Sequence, residues 1–380
     1  MTTRIAAVRE HLDRGRLESQ FFELLDIYSP PYAEGPLIER LSADLTARGL
    51  TFERQQVGSS PRRQNLVLRA GPEPLALLWL GHLDTVELWH EGGHRPRRDG
   101  DIVWGLGTAD MKSGCAAAVE AFTALVASGV PLRQGLAVGL VVGEEDAGDG
   151  ALVLRERVSA PLTVIGEPTS LEPCVDHFSY LELLIEARGK RAHAALPEVG
   201  ANAIHAMLEV VSAILEQRAG WPDADRTALS VRRISGGEPH FVIAEHCEAQ
   251  IDVHLPPGAS PDGVERAFSE AIERASRTHE GVALSLRRVF WAPGFAASTT
   301  PGATPTLPLE AAFRSVDRPW LPTAFRSHSD ANLFHDRGTF TVVCGPGSLD
   351  VAHRRSEHVS LAEVHTAAEL YAALFAEATA

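Results

Sequence analysis

Leu75-Ala-Leu-Leu-Trp-Leu-Gly-His82-Leu-Asp84 decides how the rest of the chain is read. An apolar run stops at a glycine, and an imidazole and a carboxylate follow at once. A run this short, apolar on both faces and closed by a turn residue, reads as a buried strand. The pattern returns three times. Residues 136–142 lead into Gly143-Glu144-Glu145-Asp146, residues 162–165 into Gly166-Glu167-Pro168, and residues 340–344 into Gly345-Pro346-Gly347, with His353 beyond. Helical stretches such as residues 113–128 lie between them. This alternation predicts an α/β fold, a mostly parallel sheet flanked by helices on both faces.

The middle of the chain has a different rhythm. Residues 180–187, 228–234, 249–255 and 282–289 read as strands, and residues 201–217 and 261–276 as helices. The order βαββαβ predicts a small ferredoxin-like domain. Pro256-Pro257-Gly258 and residues 301–308 read as turns or linkers. The expected organisation is a larger domain in two pieces, residues 1–174 and 291–380, with a smaller one, residues 175–290, inserted between them.

Composition narrows the partners. With 35 basic and 50 acidic residues, the net charge of −15 argues against nucleic acid or an anionic membrane as a partner. The first 29 residues mix charge with apolar residues, as an amphipathic surface helix does and a signal peptide does not. Cys115, Cys174, Cys247 and Cys344 are scattered and read as buried, reduced thiols, which predicts a cytoplasmic protein.

Carboxyl ends of parallel strands are where open α/β sheets bind ligands. Here four of them deliver His82, the pair Glu144-Glu145, Glu167 and His353. The segment Trp104-Gly-Leu-Gly-Thr-Ala-Asp110 adds a carboxylate before a helix. Imidazole and carboxylate together are a zinc donor set. Asp84, two residues past His82, is close enough to receive that ring's other N–H and fix its tautomer. Glu144 and Glu145 are neighbours, so their side chains diverge and can take different tasks. Gly105-x-Gly107 is no dinucleotide loop, because the third glycine is missing and Asp110 would repel a pyrophosphate. His90, His94, His328, His335 and His358 are read as structural or surface residues.

These blocks, with Asp110-Met-Lys-Ser-Gly, Gly-Glu167-Pro-Thr-Ser, Ala352-His353 and Gly189-Lys-Arg-Ala-His193, resemble a family of co-catalytic zinc hydrolases. The family includes acetylornithine deacetylase, succinyl-diaminopimelate desuccinylase, aminoacylase and carboxypeptidase G. The resemblance implies a zinc exopeptidase-like catalytic domain and an inserted dimerisation or lid domain. It implies two zinc ions, replaceable by cobalt, with Asp110 bridging, His82 and Glu167 on one metal, and Glu145 and His353 on the other. It also implies Glu144 as general base, a cis Asp110–Met111 peptide, a homodimer, and His193 stabilising the oxyanion in the partner's site.

Glu167 resembles the deacylase branch, where several peptidase branches carry Asp. The expected substrate is therefore an N-acyl amino acid. A carboxypeptidase or dipeptidase acting on short peptides is the alternative, and a catalytically silent zinc-binding assembly protein is the alternative of another class. Phe241, Ala244, His254 and Asn332 depart from the residues usual at the family's substrate positions, so no substrate-binding residue is assigned.

Overall fold

The computed structural model describes residues 2–88, 94–221, 223–238, 241–297, 306–335 and 337–380. His90 and residues 301–305 of the expected linker lie outside them. Two compact units emerge: Met1–Asp176 with Ala297–Phe325 and Ser329–Ala380, and His177–Ala296 with Arg326–His328.

In the first unit, Leu75–His82 lies inside an eight-stranded sheet. The order is Phe52–Gln56, Gln64–Ala70, Gly135–Val141, Leu75–His82, Leu162–Pro168, Phe340–Gly345, Cys174–His177, Thr323–Phe325. The four strands from Gly135–Val141 to Phe340–Gly345 pair in parallel, and antiparallel strands extend the sheet on both sides. Side chains alternate between its faces. Leu77 and Trp79 join the core that includes Phe122 of helix Lys112–Ser128 and Tyr371 of helix Leu361–Ala378, with the Trp79 and Tyr371 rings 5.4 Å apart. On the opposite face Leu80 and Leu154, the latter from helix Asp149–Arg155, crowd Gly139. Burial on both sides is why the run is apolar without alternation.

The strands outlast the apolar runs. Gly81 pairs with Leu140 and His82 with Val141, so His82 and Glu167 sit on the last residues of strands, not in the loops after them. Glycine ends a hydropathy pattern but not a ladder, because its N–H and C=O still pair. What glycine supplies is room. A Cβ at Gly166 would lie 2.3 Å from Trp79 Cζ2 and 2.7 Å from Met111 Cε.

Two further expectations change. The first 29 residues form two helices, Thr3–Arg9 and Arg14–Asp26, separated where Asp13 caps the second by accepting from the Arg16 amide. Ile5, Val8, Phe21, Leu24 and Leu25 are buried, so one face of each belongs to the core. Thr306 to Pro308 open the helix Thr306–Ser315, with Pro308 in the first turn, where its missing N–H costs nothing.

The second unit is a four-stranded antiparallel sheet, Ala228–Gly236, His246–Leu255, Ser179–Arg188, Ala283–Ala292. Leu181, Leu183, Ile185, Ile251 and Val253 pack with Met207 and Val210 of helix Ala203–Gln217 and with Phe268 of helix Asp262–Thr278. A third, small sheet in the first unit pairs His358–Ser360, Ile102–Trp104 and Arg97–Asp99. Among the described residues, no helix is long and apolar enough to cross a membrane.

The contact of Gly166 with Trp79 gives a stability prediction. Gly166→Ala must displace a fully buried indole. Overpacking of this kind costs about 1–3 kcal/mol in chemical denaturation. An unchanged midpoint would mean that the sheet has space there.

Candidate metal centre

Asp110 follows the turn Gly105–Ala109 and stands just before helix Lys112–Ser128, joined to Met111 by a cis peptide. Its carboxylate faces two ways. Oδ1 lies 3.0 Å from His82 Nε2, and Oδ2 lies 3.3 Å from His353 Nε2. Glu167 approaches His82 Nε2 at 3.7 Å, and Glu145 approaches His353 Nε2 at 3.1 Å. Two donor groups result, His82–Asp110–Glu167 and Asp110–Glu145–His353, each with its donor atoms within 4.8 Å of one another and sharing Asp110. All five residues expected as ligands are thus brought together. They supply only imidazole nitrogen and carboxylate oxygen, a set that fits zinc or a similar divalent ion.

The electrostatics point the same way. Burial opposes a charge on His82, yet Glu167 and Asp110 outweigh it and hold that ring well above the usual histidine range. His353 is likewise pushed up to about 11, its burial overcome by Asp110 and Glu145. Burial followed by repulsion from Asp110 raises Glu167 to about 8. Glu144 is pushed well above its ordinary value, first by burial and then, against the pull of His82, by Glu167, Asp330 and Glu145. So many carboxylates in one buried place call for compensating positive charge, which a bound cation would supply.

Several groups hold this cluster. The His82 Nδ1–H donates to the backbone carbonyl of Asp84 at 3.0 Å. A carbonyl can only accept, so the proton belongs on Nδ1 and Nε2 is the nitrogen free to ligate. The expectation that the Asp84 carboxylate receives this N–H is corrected, since its Oδ1 stands 3.8 Å from the ring. That carboxylate accepts instead from the amides of Gly143, Glu144 and Glu145 at 2.8, 3.3 and 3.0 Å. Three consecutive N–H groups leaving the Gly143 turn, where φ is 78°, make an anion nest that binds it better than one imidazole edge. Asp84 therefore positions the Glu144-Glu145 pair.

Glu357 carries out a similar task at Asp110, and no sequence motif singles it out. Its buried Oε1 accepts from the amides of Ala109 and Asp110 at 3.0 and 3.2 Å, and its backbone carbonyl accepts from Gly105. Lys112 is fully buried and donates to the carbonyls of Leu24 and Ile27, both at 2.9 Å, and burial lowers its pKa to about 7. It anchors the helix that follows Asp110.

The remaining candidates are not among these donor groups. His193 belongs to the second unit, in an exposed loop, where its Nδ1 accepts from the Ala195 amide at 3.1 Å. Residues 192–194 pair with 241–243, and the Phe241 side chain is 87% exposed. Ala244 is buried, and its carbonyl receives the Ala203 amide at the start of a helix. His254 packs on Tyr180 at 5.1 Å, and burial lowers its pKa. Asn332 is buried beside Ser329. Among the histidines read as structural, His328 packs with Tyr180 and Phe290, His94 with Tyr28, and His358 with Trp104. All four cysteines are free and buried.

A family model described as peptidase family M20/M25/M40 matches residues 78–377. This chain belongs to that family. Members of M20 are metal-dependent hydrolases of amide bonds. The chain is 31% identical over 262 residues to an acetylornithine deacetylase of Vibrio cholerae, covering 64% of this chain and 68% of the relative. It is 28% identical over 359 residues to a Mycobacterium tuberculosis protein named as a succinyl-diaminopimelate desuccinylase, covering 91% and 94%. The fold matches that of a tripeptidase from Staphylococcus aureus with a TM-score of 0.78, at 19% identity and covering 97% and 99% of the two chains.

The Glu357 contacts generate a prediction about this M20 centre. Glu357→Ala leaves the Ala109 and Asp110 amides without their acceptor and should weaken affinity for a divalent ion, read with zinc as probe, by about 10–100-fold, as loss of such supporting groups does. Glu357→Gln, which keeps one acceptor oxygen, should recover part of it. Zinc titration calorimetry on folded protein is the check, and equal affinity in all three proteins would remove Glu357 from the site.

Proposed function

We propose that this protein is a two-zinc amidohydrolase that releases the acyl group from an N-acyl amino acid or a related small molecule. The observation that carries the reading is Asp110, with each of its oxygens facing a different histidine, one of which, His82, feels the charge of Glu144. On this reading His82, Asp110 and Glu167 hold one zinc, while Asp110, Glu145 and His353 hold the other, and cobalt can substitute. Bound there, the two ions would polarise the scissile carbonyl and acidify a water. Glu144 takes the proton of that water as general base and hands it to the departing amine. A carboxylate can serve in both steps, accepting a proton as its anion and donating it again as its acid. Asp84 keeps Glu144 and Glu145 diverging from one turn.

Deacylation is preferred to peptide hydrolysis because Glu167, not Asp, stands at the ligand position, and because the relatives that match in sequence are named for deacylation and desuccinylation. Four free thiols suit a cytoplasmic setting. Turnover on a panel of N-acyl amino acids and dipeptides is the direct test. Preference for dipeptides would favour the peptidase alternative, and zinc binding without turnover on any of them would favour a silent zinc-binding protein.

Separate roles for two adjacent carboxylates give a sharp prediction. Glu144→Ala should lose about 2–4 orders of magnitude in kcat, the usual worth of a general base, with zinc content unchanged. Glu145→Ala should lose zinc as well as rate. Equal loss of zinc in both variants, with rate kept in Glu144→Ala, would reverse the assignment.

His193 is assigned to the oxyanion of a partner's site in a homodimer, a role for which its exposed loop leaves it free. His193→Ala should cost about 3–4 kcal/mol of transition-state stabilisation. Mixed with inactive Glu144→Ala chains, it should form heterodimers with one intact site of two and regain up to about half of wild-type activity. Heterodimers that form yet stay inactive, or an active monomer, would show that His193 does not act across subunits.

A further inference from the structure

Three segments meet beside the candidate metal centre and bring arginines with them. Gly105, in the turn leading to Asp110, packs against the backbone of His94, Arg95 and Pro96. Its amide donates to the Glu357 carbonyl, and the Glu357 amide donates to the Arg354 carbonyl. The small sheet then aligns His358 with Trp104 and Trp104 with Arg97. Arg354 and Arg355 directly follow His353, whose side chain is 48% exposed.

These arginines are exposed and little used by the fold. Arg95, Arg354 and Arg355 make no side-chain hydrogen bond or ion pair among the described residues. Arg97, with its side chain 65% exposed, reaches Asp99 only at 3.9 Å. Its guanidinium lies over the Trp104 ring at 5.4 Å, and that ring packs on His358 at 4.4 Å, tilted by 37°. A guanidinium held by its face keeps its N–H edges free for a carboxylate. Arg98 is different, being tied to Glu18 at 2.9 Å. Neighbouring acids are mostly engaged: Glu357 on backbone amides, and Asp101 on Ser360 and the Ala362 amide. Among the described residues, Asp99 and Asp350 are exposed, as is Glu87 before the segment that carries Arg95.

A chain of net charge −15 repels anions at long range, and exposed arginines on adjoining segments oppose that repulsion locally. We propose that Arg95, Arg97, Arg354 and Arg355 form an anion-recognition rim that selects substrates bearing a carboxylate remote from the scissile amide, such as N-succinyl rather than N-acetyl amino acids. This rests on the deacylase reading for the reaction, but not for the binding.

The test uses metal-loaded protein, with succinate and acetate as probes and calorimetry as the readout. Wild type is compared with Arg354→Gln/Arg355→Gln and with Arg95→Gln/Arg97→Gln, the second pair being remote in sequence from any proposed ligand. Zinc content is measured first. Succinate should bind about ten-fold more weakly to each double variant, and to wild type when salt rises from about 20 mM to about 200 mM, because exposed charge contacts are screened. Acetate binding should change little. In turnover, the preference of wild type for N-succinyl over N-acetyl forms of one amino acid should fall about ten-fold in the variants, through KM with kcat kept. Equal succinate affinity in wild type and both variants would overturn the rim. Failure to cleave any N-acyl amino acid, with arginine-dependent succinate binding retained, would sink the deacylase reading and leave the rim standing.

Discussion

Everything in the first unit that bears on chemistry depends on one carboxylate being held between two imidazoles. Asp110 can present Oδ1 to His82 and Oδ2 to His353 only if its own backbone is immobile. Glu357 fixes the amides of Ala109 and Asp110, Lys112 ties the next turn to the carbonyls of Leu24 and Ile27, and Met111 fills the space that Gly81 and Gly166 leave open. The parallel sheet serves the same end. It sets the strands bearing His82 and Glu167 side by side, with both residues at the carboxyl ends of their strands.

That arrangement is electrostatically expensive. Burial raises Glu144, Glu145 and Glu167, while the two histidines are driven to carry charge. Such a cluster is stable only with cations, whether protons on imidazole or metal ions in their place, and binding metal must therefore release protons. Asp84 shows how the site divides its carboxylates. Its own charge is spent on three backbone amides, so it shapes the Glu144-Glu145 turn without adding to the donor set.

Local patterns carried a large part of this. Apolar runs closed by glycine made the strands legible, because burial on both faces of a parallel sheet removes the alternation seen in half-exposed strands. The chemistry-bearing residues stood out because they recur at the same point of a repeated pattern. Other features left no such mark. Glu357 and Lys112 look like surface charges in the sequence, and only burial against particular backbone groups makes them structural. The partner of the His82 Nδ1–H was misread for a similar reason. Spacing placed Asp84 near the ring but could not tell its carbonyl from its carboxylate, and that choice lies with the amides of a turn about sixty residues further on.

By itself, then, the sequence determined the α/β class, the βαββαβ middle segment and the identities of the donor residues. These follow from hydropathy period and side-chain chemistry, which are properties of short stretches of chain. Tertiary structure alone decided that Asp84 and Glu357 act through backbone amides, and that the segments carrying Arg95, Arg97 and Arg354 adjoin the turn leading to Asp110. Those are relations between residues tens to hundreds of positions apart. Hydrogen bonds and charge interactions act over only a few ångströms, so they come into being only once the sheet has brought the segments together.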